Sequence, residues 1–243
     1  MPLIDRPSPN YDSRNGTSVS MLVLHYTGMP TAAGALTRLT DPLAKVSAHY
    51  LVDEEGRLYR LVPEGKRAWH AGVSFWAGET DINASSIGIE IANPGHDFGY
   101  REFPLAQLAA LIALAQEIVA RWRIPAARIL GHSDVAPARK KDPGELFPWH
   151  RLARAGIGLW PGEVRPLGRA LQPGEKGGDV TALQKQLAAF GYGIEKTGLY
   201  DEETAIVITA FQRHFRPMKV DGIADGQTRA LVARLTEQAL RVS

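Results

Sequence analysis

The chain has 243 residues, 44% of them apolar and 22% charged, so it can bury the core of one large domain or of two smaller ones. Its 28 basic and 26 acidic residues are interspersed and leave a net charge of +2, which argues against a nucleic-acid-binding protein. The sequence contains no cysteine, which excludes disulfides and thiolate metal sites, so any metal must be held by His, Asp and Glu.

The N-terminal segment, residues 1–18, is rich in Pro, Asn, Ser and Gly and predicts an extended arm. It has no basic segment followed by an apolar core, so we expect no secretory signal and a cytoplasmic protein. A removed leader or a non-classical export route would instead give a periplasmic protein. We also expect no membrane span, because no apolar stretch approaches the required length.

Strand-like and helical patterns alternate from residue 21 to about residue 150. The helical spacing of apolar residues predicts a long amphipathic helix over residues 104–122, and residues 31–40 form a second helical candidate. This alternation predicts an α/β layer architecture. The strand candidates are residues 21–25, 47–52, 57–62 and 87–92, and a hairpin turn at residues 53–56 joins the second to the third.

The composition changes near residue 160. Residues 161–176 are rich in Pro and Gly and predict a linker, so we divide the chain into domains at residues 1–160 and 177–243. The second domain shows only helical patterns and predicts a three-helix bundle. Its helices are expected to be capped by Asp179, Asp201 and Asp225, because Asp side chains accept hydrogen bonds from the first helical turn.

Two histidines and one aspartate have the makeup of a catalytic zinc site. His25 and His132 each end a short apolar run, and strand ends are where α/β folds bind ligands. Either histidine alone is more often a partly buried, hydrogen-bonded side chain. Asp142 precedes a proline and is therefore extended. Two imidazoles and one carboxylate would leave Zn²⁺ with an open position for water, whose pKa it can bring towards neutrality.

Two further residues supply the acid–base and oxyanion chemistry that an amide hydrolase needs. Glu90 lies on a predicted strand between the small residues Gly88 and Ala92, which suggests a cleft floor. The alternative is a half-exposed glutamate on an edge strand. Lys140 should share a face with Asp142 and could stabilise an oxyanion. We expect its basic neighbours, residues 139 and 141, to belong to a solvated loop.

Four separated segments, in order, resemble the type 2 N-acetylmuramoyl-L-alanine amidases over about residues 15–155. They are LVLHYTG around His25, KVSAHYLVDEEGRLYRLVPEGKRAWHAG at residues 45–72, SSIGIE ending at Glu90, and GHSDVAPARKKDPG at residues 131–144. The resemblance is nearest to the bacterial branch of muropeptide amidases. It implies a fold like phage T7 lysozyme and the peptidoglycan recognition proteins, with a central mixed sheet surrounded by helices.

The same resemblance implies a role for individual residues. It makes His25, His132 and Asp142 the ligands of Zn²⁺, Glu90 the catalytic acid and base, and Lys140 the oxyanion stabiliser. It also suggests three residues on the substrate side of the groove, His49, Trp69 and His70. Residues 176–237 resemble the three-helix peptidoglycan-binding module, although residues 194–197 depart from its usual proline-containing loop and leave sugar binding open.

We therefore expect a zinc amidase that cuts between the lactyl group of N-acetylmuramic acid and the first L-alanine of a stem peptide. A binding protein of the same fold without turnover is one alternative, but such proteins lack part of the metal set. A zinc peptidase acting within the stem is another, although the sequence has no H-E-x-x-H motif. We expect a monomer whose substrate is either polymeric peptidoglycan or soluble anhydro-muropeptide.

Overall fold

The computed structural model describes residues 3–241, and this part of the chain contains eight strands and eight α-helices. The strands are β1 (Leu3–Asp5), β2 (Tyr11–Ser13), β3 (Met21–Tyr26), β4 (Tyr50–Val52), β5 (Leu58–Arg60), β6 (Lys66–Ala68), β7 (Ser86–Ile91) and β8 (Ile129–Gly131). The helices are α1 (Ala32–Thr40), α2 (Ile82–Ser85), α3 (Leu105–Trp122), α4 (His132–Val135), α5 (Trp149–Arg154), α6 (Gly178–Phe190), α7 (Glu202–Phe215) and α8 (Gly226–Arg241). A short 3-10 helix, Ala126–Arg128, precedes β8.

Six strands form one mixed sheet in the order β1-β5-β4-β7-β3-β8, which confirms the expected fold class. The β4–β5 hairpin is antiparallel, as the turn at residues 53–56 predicts, whereas the other pairs in this sheet are parallel. Strand β3 lies between β7 and β8, with His25 in register with Glu90. The carboxyl ends of these three parallel strands therefore open at the same edge of the sheet.

The two faces of β3 pack against different parts of the molecule. Leu22 and Leu24 belong to an apolar cluster that includes α3, whereas Met21 and Val23 belong to a cluster that includes the C-terminal helices. Helix α3 is long and apolar enough to cross a membrane by length and composition alone. Its buried face nevertheless packs on the sheet, which is the arrangement of a core helix.

The N-terminal arm is extended, as predicted, but it is built into the sheets. Strand β1 pairs in parallel with β5 at the edge of the main sheet, and β2 pairs with β6 in a separate two-stranded sheet. Between them, Ser8 donates a hydrogen bond to the carbonyl of Leu39 at 2.6 Å. Asn10 donates to the carbonyls of Asp41 and Val46 at 2.8 and 2.9 Å. These contacts attach the arm to helix α1 and to the loop that follows it.

The C-terminal part contains the three expected helices, α6, α7 and α8. Asp201 accepts a hydrogen bond from the backbone N–H of Thr204 at 2.9 Å, and Asp225 accepts one from Thr228 at 3.0 Å, so both aspartates act as predicted. The predicted cap at Asp179 is wrong. Helix α6 begins at Gly178 and is preceded by Gly177 without a side-chain cap, which leaves Asp179 inside the first turn.

The predicted linker is in contact with the C-terminal part of the chain. Leu171, within the predicted linker at residues 161–176, is fully buried and forms a β-bridge with Ala224 of the C-terminal part. The two parts also share one apolar cluster, in which the ring of Trp76 lies edge-on to that of Tyr192, with ring centroids 4.9 Å apart. The three helices, which we call the C-terminal module, are therefore packed onto the sheet domain through a common core.

Candidate active site

The three predicted zinc ligands lie together at the carboxyl edge of the sheet. His25 is near the end of β3, His132 directly follows β8, and Asp142 lies in the loop after α4. The Nδ1 atoms of the two histidines are 2.9 Å apart, and each lies 3.0 Å from Oδ2 of Asp142. Three atoms at these separations can all lie about 2 Å from one ion, the distance at which His and Asp bind Zn²⁺. The three side chains thus fit a metal ion.

The protonation states of these residues favour metal binding. Burial and the neighbouring His132 together lower the pKa of His25 to about 4. Burial alone would raise the pKa of Asp142, but the charge and hydrogen bonds of the two histidines hold it well below its usual range. At neutral pH the site therefore presents an ionised carboxylate beside a neutral His25, the forms that coordinate metals.

His70 fixes the orientation of His25. Nε2 of His25 faces Nδ1 of His70 at 3.0 Å, and Nε2 of His70 lies 3.1 Å from Oγ of Ser86. The Ser86 hydroxyl donates in turn to the carbonyl of Ile82 at 2.5 Å. A metal on Nδ1 of His25 would leave the proton on Nε2. His25 then donates to His70, His70 donates to Ser86, and Ser86 donates to the carbonyl of Ile82.

The loop that contains His70 and Ala71 also orients His132. Nε2 of His132 lies 3.0 Å from the carbonyl oxygen of Ala71, to which it donates when a metal occupies Nδ1. The loop is held from below by Asn83, whose side-chain oxygen accepts hydrogen bonds from the N–H groups of His70 and Ala71 at 2.9 and 2.8 Å. One segment of two residues therefore supports both histidines of the site.

Glu90 projects into the cleft beside these residues. Its Oε2 atom is buried and has no hydrogen-bond partner among the described residues. Burial raises the pKa of Glu90 well above its usual value, Asp142 raises it further, and the charge of Lys140 lowers it. Ile87, Ile89 and Ile91 of the same strand face the apolar core with α3. A buried carboxyl with a free oxygen is suited to exchange protons with a bound molecule.

The cleft has a volume of about 430 Å³. Lys140 lines it together with Asp142, the shared direction that the sequence predicts. Arg139 is exposed, as expected for a solvated loop, and its guanidinium also donates to the carbonyls of Ala71 and Val73. The cleft is also lined by Tyr26 and four further polar residues, which are Thr27, Arg38, His96 and Asp97.

The three residues expected on the substrate side lie in three different surroundings. His49 is fully buried beneath the cleft, where its Nδ1 accepts from the N–H of Gly88 at 2.9 Å and its Nε2 faces Arg14 at 2.8 Å. Trp69 points to the N-terminal arm, where its indole donates to Asp12 at 3.3 Å. His70 does line the cleft, but both ring nitrogens are engaged by His25 and Ser86. His70 and His49 therefore contact the strands that carry the site, whereas Trp69 contacts the N-terminal arm.

A hydrogen-bonded group at the cleft, formed by Tyr26, His96 and Glu145, was not predicted from the sequence. The hydroxyl of Tyr26 lies 2.9 Å from Nδ1 of His96, and Nε2 of His96 lies 3.2 Å from both carboxylate oxygens of Glu145. The ring of His96 also stacks on Tyr100, with ring centroids 4.4 Å apart. The position of Tyr26 next to His25 could have indicated that Tyr26 lies at the site. The other residues of the group come from separate loops, and no local pattern places them there.

Comparison with known proteins agrees with this geometry. Residues 15–145 match the N-acetylmuramoyl-L-alanine amidase family, and residues 176–232 match a peptidoglycan binding domain family. The chain is 41% identical over 236 residues to the N-acetylmuramoyl-L-alanine amidase AmiD of Escherichia coli K12, an alignment that covers 90% of this chain and 83% of AmiD. The 1,6-anhydro-N-acetylmuramyl-L-alanine amidase AmpD of Citrobacter freundii is 37% identical over 165 residues, which are 60% of this chain and 86% of AmpD.

A solved structure of the E. coli amidase AmiD in complex with anhydro-N-acetylmuramic acid-L-Ala-D-gamma-Glu-L-Lys has the same overall architecture. The two structures superpose with a TM-score of 0.77 at 37% identity, over 95% of this chain and 92% of that one. The similarity therefore includes the C-terminal module as well as the sheet domain. On both sequence and structure, this chain belongs to the N-acetylmuramoyl-L-alanine amidase family.

Proposed function

We propose that this chain is a zinc-dependent amidase that hydrolyses the amide between the lactyl group of N-acetylmuramic acid and L-alanine. The observation that carries the proposal is the triangle of His25, His132 and Asp142, with edges of 2.9 to 3.0 Å, at the end of a cleft that also contains the free oxygen of Glu90. A site of two nitrogens and one oxygen, open on the cleft side, has the donor set of a catalytic zinc centre.

The chemistry that Zn²⁺ supplies in such a centre is a lowered pKa of water and polarisation of a carbonyl. Glu90 has a free Oε2 in the cleft, with which it takes a proton from the attacking water and returns it to the leaving nitrogen of L-alanine. Lys140 donates to the oxyanion that forms when the lactyl carbonyl becomes tetrahedral, a contact typically worth about 3 kcal/mol of barrier.

The proposed substrate is a soluble anhydro-muropeptide. The AmpD relative is named for the 1,6-anhydro form of muramic acid, and the AmiD structure contains an anhydro-muramyl tripeptide. The cleft of this chain is lined by Arg38, Lys140 and Lys141, whose positive charges suit the free carboxylates of a stem peptide. A size of about 430 Å³ also fits one sugar and the first residues of its peptide.

The test is to digest purified anhydro-muropeptides and intact sacculi in parallel and to identify the products by mass spectrometry. We expect the muropeptide digest to yield free peptide with N-terminal alanine and anhydro-muramic acid without alanine. Alanine left on the sugar would identify a peptidase, and binding without any product would identify a recognition protein. Faster release from sacculi than from soluble fragments would contradict the substrate that we propose.

A further inference from the structure

The short helix α4, which begins with His132, carries a second buried carboxylate that faces away from the cleft. Asp134 is 1% exposed and accepts a hydrogen bond from the N–H of Gly131 at 2.7 Å. Its Oδ1 accepts a second from the hydroxyl of Tyr192 at 2.7 Å, and its Oδ2 lies 2.7 Å from Nδ1 of His214. Tyr192 and His214 both belong to the C-terminal module, so the module contacts the turn that bears His132.

Aromatic rings from both the sheet domain and the C-terminal module pack against these two side chains. The imidazole of His214 is stacked between the rings of Trp149 and Phe215, with centroid distances of 3.7 Å to each and interplanar angles of 19° and 7°. Tyr192 is 1% exposed and packs against Trp76. Neither side chain has room to follow Asp134 if the turn moves, so their positions define where the carboxylate must lie.

Helix α4 itself is too short to hold its own orientation. It has four residues, one turn, and an isolated turn of helix is unstable without external contacts. Its external links include the N–H of Ser133, which donates to the carbonyl of Asp142 at 2.9 Å, and the carbonyl of Val135, which accepts from the N–H of Phe75 at 2.8 Å. The turn is therefore positioned by these loops, by Ala71 and by the C-terminal module.

We infer that Asp134, Tyr192 and His214 form a clasp through which the C-terminal module positions His132 for metal binding. This inference rests on the proposed role of His132 as a zinc ligand. Removing a donor from the clasp leaves part of a buried carboxylate unsatisfied, and the turn then shifts to bring Asp134 to another partner. Because His132 is on the same turn, its Nδ1 moves away from His25 and Asp142.

The discriminating measurement is zinc affinity, determined by competition with a chromogenic chelator on the full-length protein. For Tyr192→Phe we expect a loss of affinity of about 10-fold, the lower end of the range for hydrogen-bond partners of metal ligands, because Asp134 acts on His132 through the backbone of the turn. The matched control is Tyr200→Phe. Tyr200 is also fully buried and its hydroxyl donates at 2.7 Å, but to Gly222 within the module and without contact to α4.

A purely structural role of the clasp would lower the melting temperature of both tyrosine variants and leave zinc affinity equal in the two. That outcome would overturn the inference. A second pair of variants, at His214, provides an independent test in case a tyrosine variant folds poorly. His214→Asn retains an N–H donor near the position of Nδ1 and should keep most of the affinity, whereas His214→Leu should lose it; equal affinity in this pair would also overturn the inference. Failure of the wild-type protein to bind zinc would instead reject the proposed function itself.

Discussion

Nε2 of His25 and Nδ1 of His70 face each other at 3.0 Å, so the second histidine determines which nitrogen of the first is free for a metal. Burial lowers the pKa of His70 well below its usual value, and the neighbouring His25 lowers it further, so His70 is neutral. A neutral imidazole accepts at one nitrogen and donates at the other. His70 thus acts as an orienting residue for the candidate metal site.

The first prediction concerns this contact. His70→Phe retains a ring of similar size above Gly88 but removes the acceptor for His25, so we expect zinc affinity to fall about 10- to 100-fold. Chelator competition measures the change. Trp69→Phe is the control in the same loop, because the indole contacts Asp12 and lies outside the cleft. Equal zinc affinity in His70→Phe and the wild type would contradict the orienting role.

A second prediction separates metal binding from proton transfer. Glu90→Gln preserves the shape of the side chain but removes its acid–base function, so we expect normal zinc content and a fall in kcat of about 10²- to 10⁴-fold. His25→Ala should lose both zinc and turnover, because it removes one of three ligands. Elemental analysis and release of N-terminal alanine measure the two properties. Substantial activity in Glu90→Gln would exclude Glu90 as the proton carrier.

A third prediction tests how closely His70 packs on the sheet. A Cβ atom at Gly88 would lie 2.5 to 2.6 Å from three atoms of the His70 ring, closer than any real contact. Gly88→Ala should therefore displace this ring, cost about 1 to 3 kcal/mol of stability and weaken zinc binding. Gly65→Ala is the matched control, since nothing lies within 4 Å of its added Cβ. Chemical denaturation with and without zinc measures both effects, and identical curves for the two variants would refute this packing.

A fourth prediction concerns the acid stability of the C-terminal module. Burial alone would raise the pKa of Asp225, but hydrogen bonds from Thr228, Arg216 and Lys219 lower it from 3.8 to about 2. Because the folded pKa is depressed, this stabilisation is present above about pH 4 and disappears as the pH falls towards about 2. Asp225→Asn keeps a capping side chain without the charge, so its urea midpoint should fall less than that of the wild type over this range. A parallel decline of the two proteins would contradict the assignment.

The central part of the fold follows from residue patterns that are local in sequence. The apolar run that ends at His25 predicts strand β3, and the helical spacing of apolar residues predicts α3 almost to the residue. The sequence also predicts that His25, Glu90 and His132 meet, because parallel strands bring their carboxyl ends to one edge of a sheet. These predictions succeed because burial on one face imposes a periodicity that can be read directly.

Other features depend on partners that are distant in sequence. Strand β1 has only three residues, and it forms because β5 offers a free edge, which no pattern within residues 3–5 reveals. The contacts of His49, Trp69 and His70 are likewise set by loops that pack from elsewhere in the chain. Gly88 was the one local signal, since a glycine within a strand often marks the close approach of another group. No local sequence pattern predicts the apolar core that the sheet domain shares with the C-terminal module.

The register between β3 and β7 has a consequence for how correct folding of the protein can be measured. Because side chains alternate across a sheet, a slip of one residue would turn His25 towards α3 and away from Glu90. A slipped molecule would keep a similar amount of secondary structure, and circular dichroism would scarcely distinguish it from the native one. It could not chelate, however, since one of the three donors would face the opposite side. The number of zinc ions retained per chain in a freshly refolded sample is therefore a direct gauge of the fraction of molecules whose strands have aligned correctly.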